Sequence, residues 1–226
     1  MRIFRKKPPS PYSPGIEKNR RLHVGCGCEI IPGWCNIDVQ DLPGVDIVLD
    51  VTQGFSFSDV DLIYCEHFIE HLRFDQGFSF LEDCYESLSA GGALRLSTPN
   101  LDWVYLTHFT AGCADVPKKI SNTFMLNRAF YGWGHQFLYS REVLREVLKA
   151  IGFHNIVECE YGMSDHPELR GLERHERYEA TPDLPDVLVL EAEKGADGTR
   201  RNDPRNILRQ AHDEFLHMLE WKIERT

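Results

Sequence analysis

Four short apolar runs follow one another between residues 21 and 67: RLHVG (21–25), CNIDV (35–39), VDIVLDV (45–51) and VDLIYCEH (60–67). Each gives way to glycine, to an acid or to polar residues. Runs this short and this continuously apolar suit strands buried on both faces, as in a parallel sheet. Parallel sheets gather ligand groups at the carboxyl ends of their strands, which is where these runs turn polar. That pattern constrains the fold more than any other feature of the chain.

Helical periodicity comes next. Phe80, Leu81, Cys84, Tyr85 and Leu88 recur at helix spacing until Gly91-Gly92, and GALRLSTPN (92–100) reads as a fifth strand. Ser140 is placed to cap a helix with Val143, Leu144, Val147, Leu148 and Ile151 on one face, stopped by Gly152. Strands at about 154–160 and 186–193 complete the set. The expectation is an α/β fold, a Rossmann-like, seven-stranded and mostly parallel sheet. Residues 101–138, rich in aromatics, read as a helical insertion over the sheet edge. After the polar linker GADGTRRND (195–203), Asp203 and Pro204 open a C-terminal helix with Ile207, Leu208, Ala211, Phe215, Met218, Leu219 and Lys222 along one stripe.

With 226 residues and 42% hydrophobic content, one real core can be filled. The expected organisation is a basic, Pro-rich, disordered leader (1–20), one domain (21–194), and the linker with its helix (195–226). Residues 1–21 hold seven Lys/Arg against Glu17 alone, leaving 18 basic and 34 acidic residues in the remainder. So acidic a body is a poor partner for polyanions, and no nucleic acid is expected. The leader has no apolar run after its charges, and nowhere do about 18 apolar residues run together, so neither a secretory signal nor a membrane span is expected. Seven cysteines without an export signal read as reduced thiols of a cytoplasmic protein.

The stretch RLHVGCGCEIIPGWCNIDVQ (21–40) admits three chemistries. His23, Cys26, Cys28 and Cys35 are soft metal ligands, but paired-knuckle spacing is missing. A dinucleotide fingerprint needs a third glycine where Ile30 stands, and about twenty residues to the ribose acid where Gly27 to Asp38 leaves eleven. The third reading fits better. Gly25 and Gly27 allow a sharp turn and a close backbone approach, and Asp38 can accept both hydroxyls of a ribose. The absence of a phosphate-binding lysine suits a nucleoside cofactor without phosphates, such as S-adenosyl-L-methionine (SAM).

The ordered set LHVGCG, NIDV, DIVLDV, DLIYCEHFIEHL, LSAGGALRLSTPN and HQFLYSREVLREVLKAIGF resembles class I SAM-dependent methyltransferases over about residues 21–193. The likeness is to a bacterial type 11-like group with a shortened first helix, often associated with surface-polysaccharide or secondary-metabolite genes. Two positions depart from the pattern: His23 stands for the acid two residues before the first glycine, and Cys28 for the loop's third glycine. The resemblance implies that Gly25, Cys26 and Gly27 lie beneath the cofactor, with His23 just before them and Asp38 on the ribose. It places Asp50 at the adenine amine, Val51 beside the ring, and Cys65, Glu66 and His67 near the methionine portion. A turn cap is the competing reading of Asp50.

HFIEH (67–71) also spells the inverted zinc-protease motif, with His67 and His71 on one helix face and Glu70 as base. No third ligand is placed with it in sequence, and no metal is expected; Glu70 and His71 read as local anchors of a helix. His67 and His135 are the candidate catalytic residues, since a neutral histidine can take a hydroxyl proton near pH 7. Asp165, His166, Arg170 and Arg174 are candidate acceptor contacts against a plain charged loop. Trp103, Tyr131 and Trp133 are candidate stacking platforms against simple core or lid packing. The expected function is O-methylation of a small-molecule or glycan acceptor, such as a sugar precursor. The competing function is a non-catalytic SAM-binding scaffold in a glycan-assembly complex. The C-terminal helix packs on the domain or builds a homodimer.

Overall fold

The computed structural model describes residues 20–109, 114–175, 178, 183–196, 208, 210–215 and 217. Seven strands form one sheet: β1 (Arg21–Val24), β2 (Cys35–Asp38), β3 (Ile47–Val48), β4 (Val60–Glu66), β5 (Leu88–Pro99), β6 (His154–Glu158) and β7 (Val187–Glu193). Their order is β3-β2-β1-β4-β5-β7-β6. The first five pair in parallel, while β7 runs antiparallel to both β5 and β6. The fold is α/β and Rossmann-like, and the chain reverses direction across the sheet between β1 and β4.

The two faces of the sheet differ because successive side chains alternate. Leu22, Val24, Ile37, Ile63, Cys65, Leu94, Leu96, Leu188 and Leu190 point to one face and pack in the main core. That face is covered by α1 (Phe74–Ser87), through Phe80, Leu81, Cys84 and Tyr85, and by α4 (Arg141–Ile151), through Leu144, Val147, Leu148 and Ile151. The caps of α4 are those its sequence carries: Ser140 Oγ accepts the Val143 N–H at 3.3 Å, and Gly152 closes the helix in the left-handed region. Leu208 packs against the same core, and the His212 ring lies 4.9 Å from Phe74. The described part of the C-terminal helix therefore docks on the domain; residues 1–19 of the leader and Asp203, Pro204, Ile207, Met218, Leu219 and Lys222 lie outside the described residues.

On the other face the intervening residues are polar: His23, Asn36, Asp38, Glu66, Arg95 and Glu191 are all buried. Among the described residues no α-helix joins the apolar cluster on this face. The β1–β2 connection is too short for one, and a smaller apolar cluster of Trp34, Leu62, Tyr64, Ala93, Leu169 and Leu172 brings the loop 159–175 across instead. Arg95, fully buried, holds this layer together. Its guanidinium donates to Glu173 Oε1 at 2.6 Å, Glu191 Oε1 at 2.5 Å and the Met163 carbonyl at 2.9 Å. The buried cation is thus paired with two carboxylates, while its Nη2 has no hydrogen-bond partner.

Four expectations shift. The third strand is only Ile47–Val48, and the chain then turns into a 3-10 segment at Val51–Gln53. Helix α1 ends at Ser87 and hands over directly to β5, so Leu88 is extended rather than helical. HFIEH does not form one helix: His67 has φ +45° and only Ile69–His71 make a 3-10 turn. The insertion consists of α2 (Leu101–His108) and α3 (Val116–Tyr131), and α3 buries none of its residues. Tyr131 and Trp133 are exposed rather than packed, with the Arg128 guanidinium 4.3 Å above the Trp133 ring. Among the described residues no helix is long and apolar enough to cross a membrane.

Candidate functional site

The β1 turn and the end of β2 make one unit. After Val24 the chain reverses through Gly25 (φ +69°) and Gly27 (φ +51°). The Gly25 and Cys26 N–H groups both donate to the Ile37 carbonyl, at 2.8 and 3.1 Å. A Cβ on Gly25 would lie 2.3 Å from the Phe68 ring, so the turn is packed tightly from beneath. A Cβ on Gly27 would meet nothing within 4 Å, so the space above that glycine is open. Asp38 faces it: Oδ2 accepts the Gly27 N–H at 2.8 Å and Oδ1 accepts the Gln40 N–H at 2.9 Å. Each oxygen retains a second lone pair. This cradle sits beside the β1/β4 reversal at the carboxyl edge, the place where open α/β sheets bind ligands.

His23 lies one layer below the cradle. Only 3% exposed, it places Nδ1 3.2 Å from Asn36 Oδ1 and its ring 5.2 Å from Tyr64; burial holds its pKa below the ordinary histidine value. Neutral at pH 7, it supports β1 and β2 from within the polar layer. Burial also pushes the Cys26 and Cys35 thiols up to about 11, so neither is a thiolate near neutrality. Among the described residues His23, Cys26, Cys28 and Cys35 make no metal-like cluster.

The remaining candidates spread along the same edge. Asp50 caps the 3-10 turn, accepting the Thr52 N–H at 2.9 Å and its hydroxyl at 2.7 Å. Val51 is buried in the main core, as is Cys65, whose thiol is 1% exposed. Glu66 is the carboxyl end of β4, and its carboxylate accepts the Arg174 N–H at 2.8 and 3.0 Å and the His175 N–H at 3.1 Å, with the His175 ring nitrogen 3.3 Å away. Burial alone would raise its pKa; the His175 ring and these N–H groups overcome that and bring it down to about 2. The His175 ring, held by Glu66, in turn stacks on His67 at 4.0 Å. Two buried polar atoms at this end of the sheet have no hydrogen-bond partner: Ser97 Oγ and His67 Nε2.

His135 belongs to a second group that long-range folding assembles. The Gln136 and Phe137 N–H groups donate to the Glu70 carbonyl at 2.7 and 3.2 Å, and the Gln136 side chain donates to the His71 carbonyl at 2.7 Å. These bonds bring the His135 ring within 5.1 Å of His71, and Glu70, His71 and His135 form a cluster at metal-ligand spacing. The third group that the HFIEH text lacks is supplied here, 64 residues downstream of His71. Only contact between segments far apart in sequence reveals it.

The loop 161–175 divides. His166 lies 3.4 Å from Glu193, which pairs with Ala93 of β5, itself opposite Leu62 near the amino end of β4, and Glu168 accepts from Arg21 at the start of β1. This part, with Asp165, lies at the amino edge, away from Asp38, which favours the plain charged loop over the acceptor contact. Arg170 and Arg174 spend guanidinium donors on the loop's own carbonyls of Ser164, Gly171 and Glu173. Only the 173–175 end reaches the carboxyl edge. Trp103 stacks on Tyr178 at 5.6 Å.

No family model matches the chain, and no curated protein sequence matches it significantly. Solved structures do. It is similar to a SAM-dependent methyltransferase from Archaeoglobus fulgidus (16% identity, covering 78% of this chain and 86% of that one, TM-score 0.47). A SAM-dependent methyltransferase from Mesorhizobium loti shows 16% identity over 78% of this chain and 91% of its own, with TM-score 0.45. Phosphoethanolamine N-methyltransferase 2 of Haemonchus contortus, in complex with SAM, matches at 14% identity over 64% and 35%, with TM-score 0.42.

Proposed function

We propose that this chain is a SAM-dependent methyltransferase that methylates an oxygen of a small polar acceptor, such as a sugar or glycan precursor. The observation that carries the reading is the Asp38 carboxylate fixed across the Gly25–Gly27 turn by the 2.8 Å bond from the Gly27 N–H, with open space above that glycine. An acid with two free lone pairs beside an open glycine turn fits a ribose diol, and the turn presents no lysine to hold phosphates. The unpartnered Ser97 Oγ and His67 Nε2 fit a ligand with further polar atoms.

Bound here, the cofactor supplies an electrophilic methyl on a sulfonium. The chain's part is position and proton handling. Asp38 and the glycine turn fix the nucleoside, with Cys26 beneath it, Asp50 and Val51 toward the base, and Glu66 at the floor, backed by Cys65 from the core face of the sheet. An acceptor oxygen must lie in line at about 3–3.5 Å from the methyl carbon, a task of orientation. His67 and His135 are the acceptor-side histidines. His135 Nδ1 lies 2.8 Å from the Ala129 carbonyl, so it carries the proton and leaves Nε2 with a lone pair.

Calorimetric titration with SAM tests the cofactor site. A lost charge-assisted hydrogen bond costs about 1.5–3 kcal/mol, so Asp38→Asn weakens SAM binding at least about tenfold. An unchanged affinity in the folded variant rejects the site. Formation of S-adenosylhomocysteine with a panel of hydroxylated acceptors then separates an enzyme from a binding-only scaffold.

A further inference from the structure

We propose that Glu70, His71 and His135 bind a divalent transition-metal ion of the zinc class, against the metal-free expectation drawn from the sequence. Their ligand atoms all lie within 4.8 Å of one another. Tetrahedral ligands on zinc at 2.0–2.1 Å stand about 3.3 Å apart, so the three groups need close by only about 1 Å each.

Glu70 is the second observation that points to a cation. It is fully buried, and Oε2 accepts the Thr98 hydroxyl at 3.0 Å, but Oε1 has no hydrogen bond. His67 Nδ1 lies 3.1 Å from Oε1 outside hydrogen-bonding geometry, and no Lys or Arg pairs with Glu70 among the described residues. A buried carboxylate left half-satisfied is costly unless paired or metal-bound. His135 is prepared as a ligand by its outer contact: Nδ1–H on the Ala129 carbonyl fixes the tautomer whose Nε2 lone pair faces away. The backbone bonds from Gln136 and Phe137 to Glu70 hold the two segments in place before any ion arrives.

Two histidines and one carboxylate give three protein ligands, the set of sites that keep a position open for a reacting oxygen. Glu70 bonds Thr98 near the carboxyl end of β5, so the cluster shares an edge with Asp38. If the methyltransferase reading holds, the open position would take the acceptor hydroxyl and lower its pKa, making His135 a ligand rather than a base. Metal binding itself does not depend on that reading.

The test uses untagged full-length protein, stripped with chelator and titrated with Zn²⁺ by calorimetry, and with Co²⁺ by visible absorption. One equivalent should bind, with cobalt giving a low-coordinate ligand-field spectrum. His71→Ala and His135→Ala, each checked for folding by circular dichroism, should weaken Zn²⁺ binding at least about 100-fold, since losing even an outer contact costs 10–100-fold. His108→Ala, outside the cluster, should bind as the parent does. Absence of one-equivalent binding, or binding that survives both cluster variants, overturns the proposal. SAM titration of the stripped protein reports on the Asp38 cradle alone, so failure of either site is told from failure of the other.

Discussion

Replacing Glu66 by Gln removes one negative charge while keeping a side chain that can accept a hydrogen bond. Its carboxylate ties β4 to the loop end at Arg174 and His175 and holds the ring that stacks on His67. A carboxyl whose pKa falls from 4.5 to about 2 on folding contributes up to ~3 kcal/mol at neutral pH. The His175 side chain is 50% exposed, so solvent screens part of this and about 2 kcal/mol is expected. The signs of the two partners define a window. Glu66, lowered by folding, stabilises fully above its ordinary 4.5 and loses that contribution as pH falls toward 2. His175, raised chiefly by its hydrogen bond to Glu66, stabilises fully below its ordinary 6.5 and loses that part as pH rises through its folded value. The stability gap between parent and Glu66→Gln should therefore peak between about pH 5 and 6, narrow modestly above neutrality, and lose more than half its size by pH 3. Urea denaturation of both proteins across pH 3–9 measures the gap. Two parallel stability curves, or a gap that widens toward pH 3, would refute the clamp.

Arg95→Ala should leave the Glu173 and Glu191 carboxylates buried without a cationic partner and cost about 3–5 kcal/mol in urea denaturation; a loss under about 1 kcal/mol would mean that the loop 159–175 is held by something else. Gly25→Ala should cost more than about 1 kcal/mol, because φ is +69° and the new Cβ would strike Phe68. Adding Phe68→Ala would relieve the clash but not the backbone strain, so an unchanged melting temperature in the single variant would dispose of both causes.

What was legible in the sequence was whatever neighbouring residues decide among themselves. The apolar runs ending at Val24, Asp38 and Glu66 became parallel strands because their two-sided burial leaves no other home for them. Ser140 and Gly152 bound α4 because capping is settled within a few residues of each end. Asp38 across from Gly27 was also readable, since a connection of ten residues between adjacent parallel strands brings the second strand's end back beside the first turn. Asp50 shows the limit of that reasoning: β3 stops three residues earlier than its apolar run, and the carboxylate is drawn to Thr52 by a purely local cap. Arg95 lay hidden for the opposite reason. A lone arginine in an apolar strand looks like an interruption until Glu173 and Glu191, 78 and 96 residues away, arrive to pair with it. His135 is the same kind of case, reaching Glu70 and His71 only through the bonds of Gln136 and Phe137. In both clusters a buried charge is set by one segment and answered by another far along the chain. The polar layer thus acquires its chemistry only when the loop 159–175 and the insertion have closed over the sheet, which predicts that any ligand of the carboxyl edge binds the folded chain and not its isolated N-terminal half.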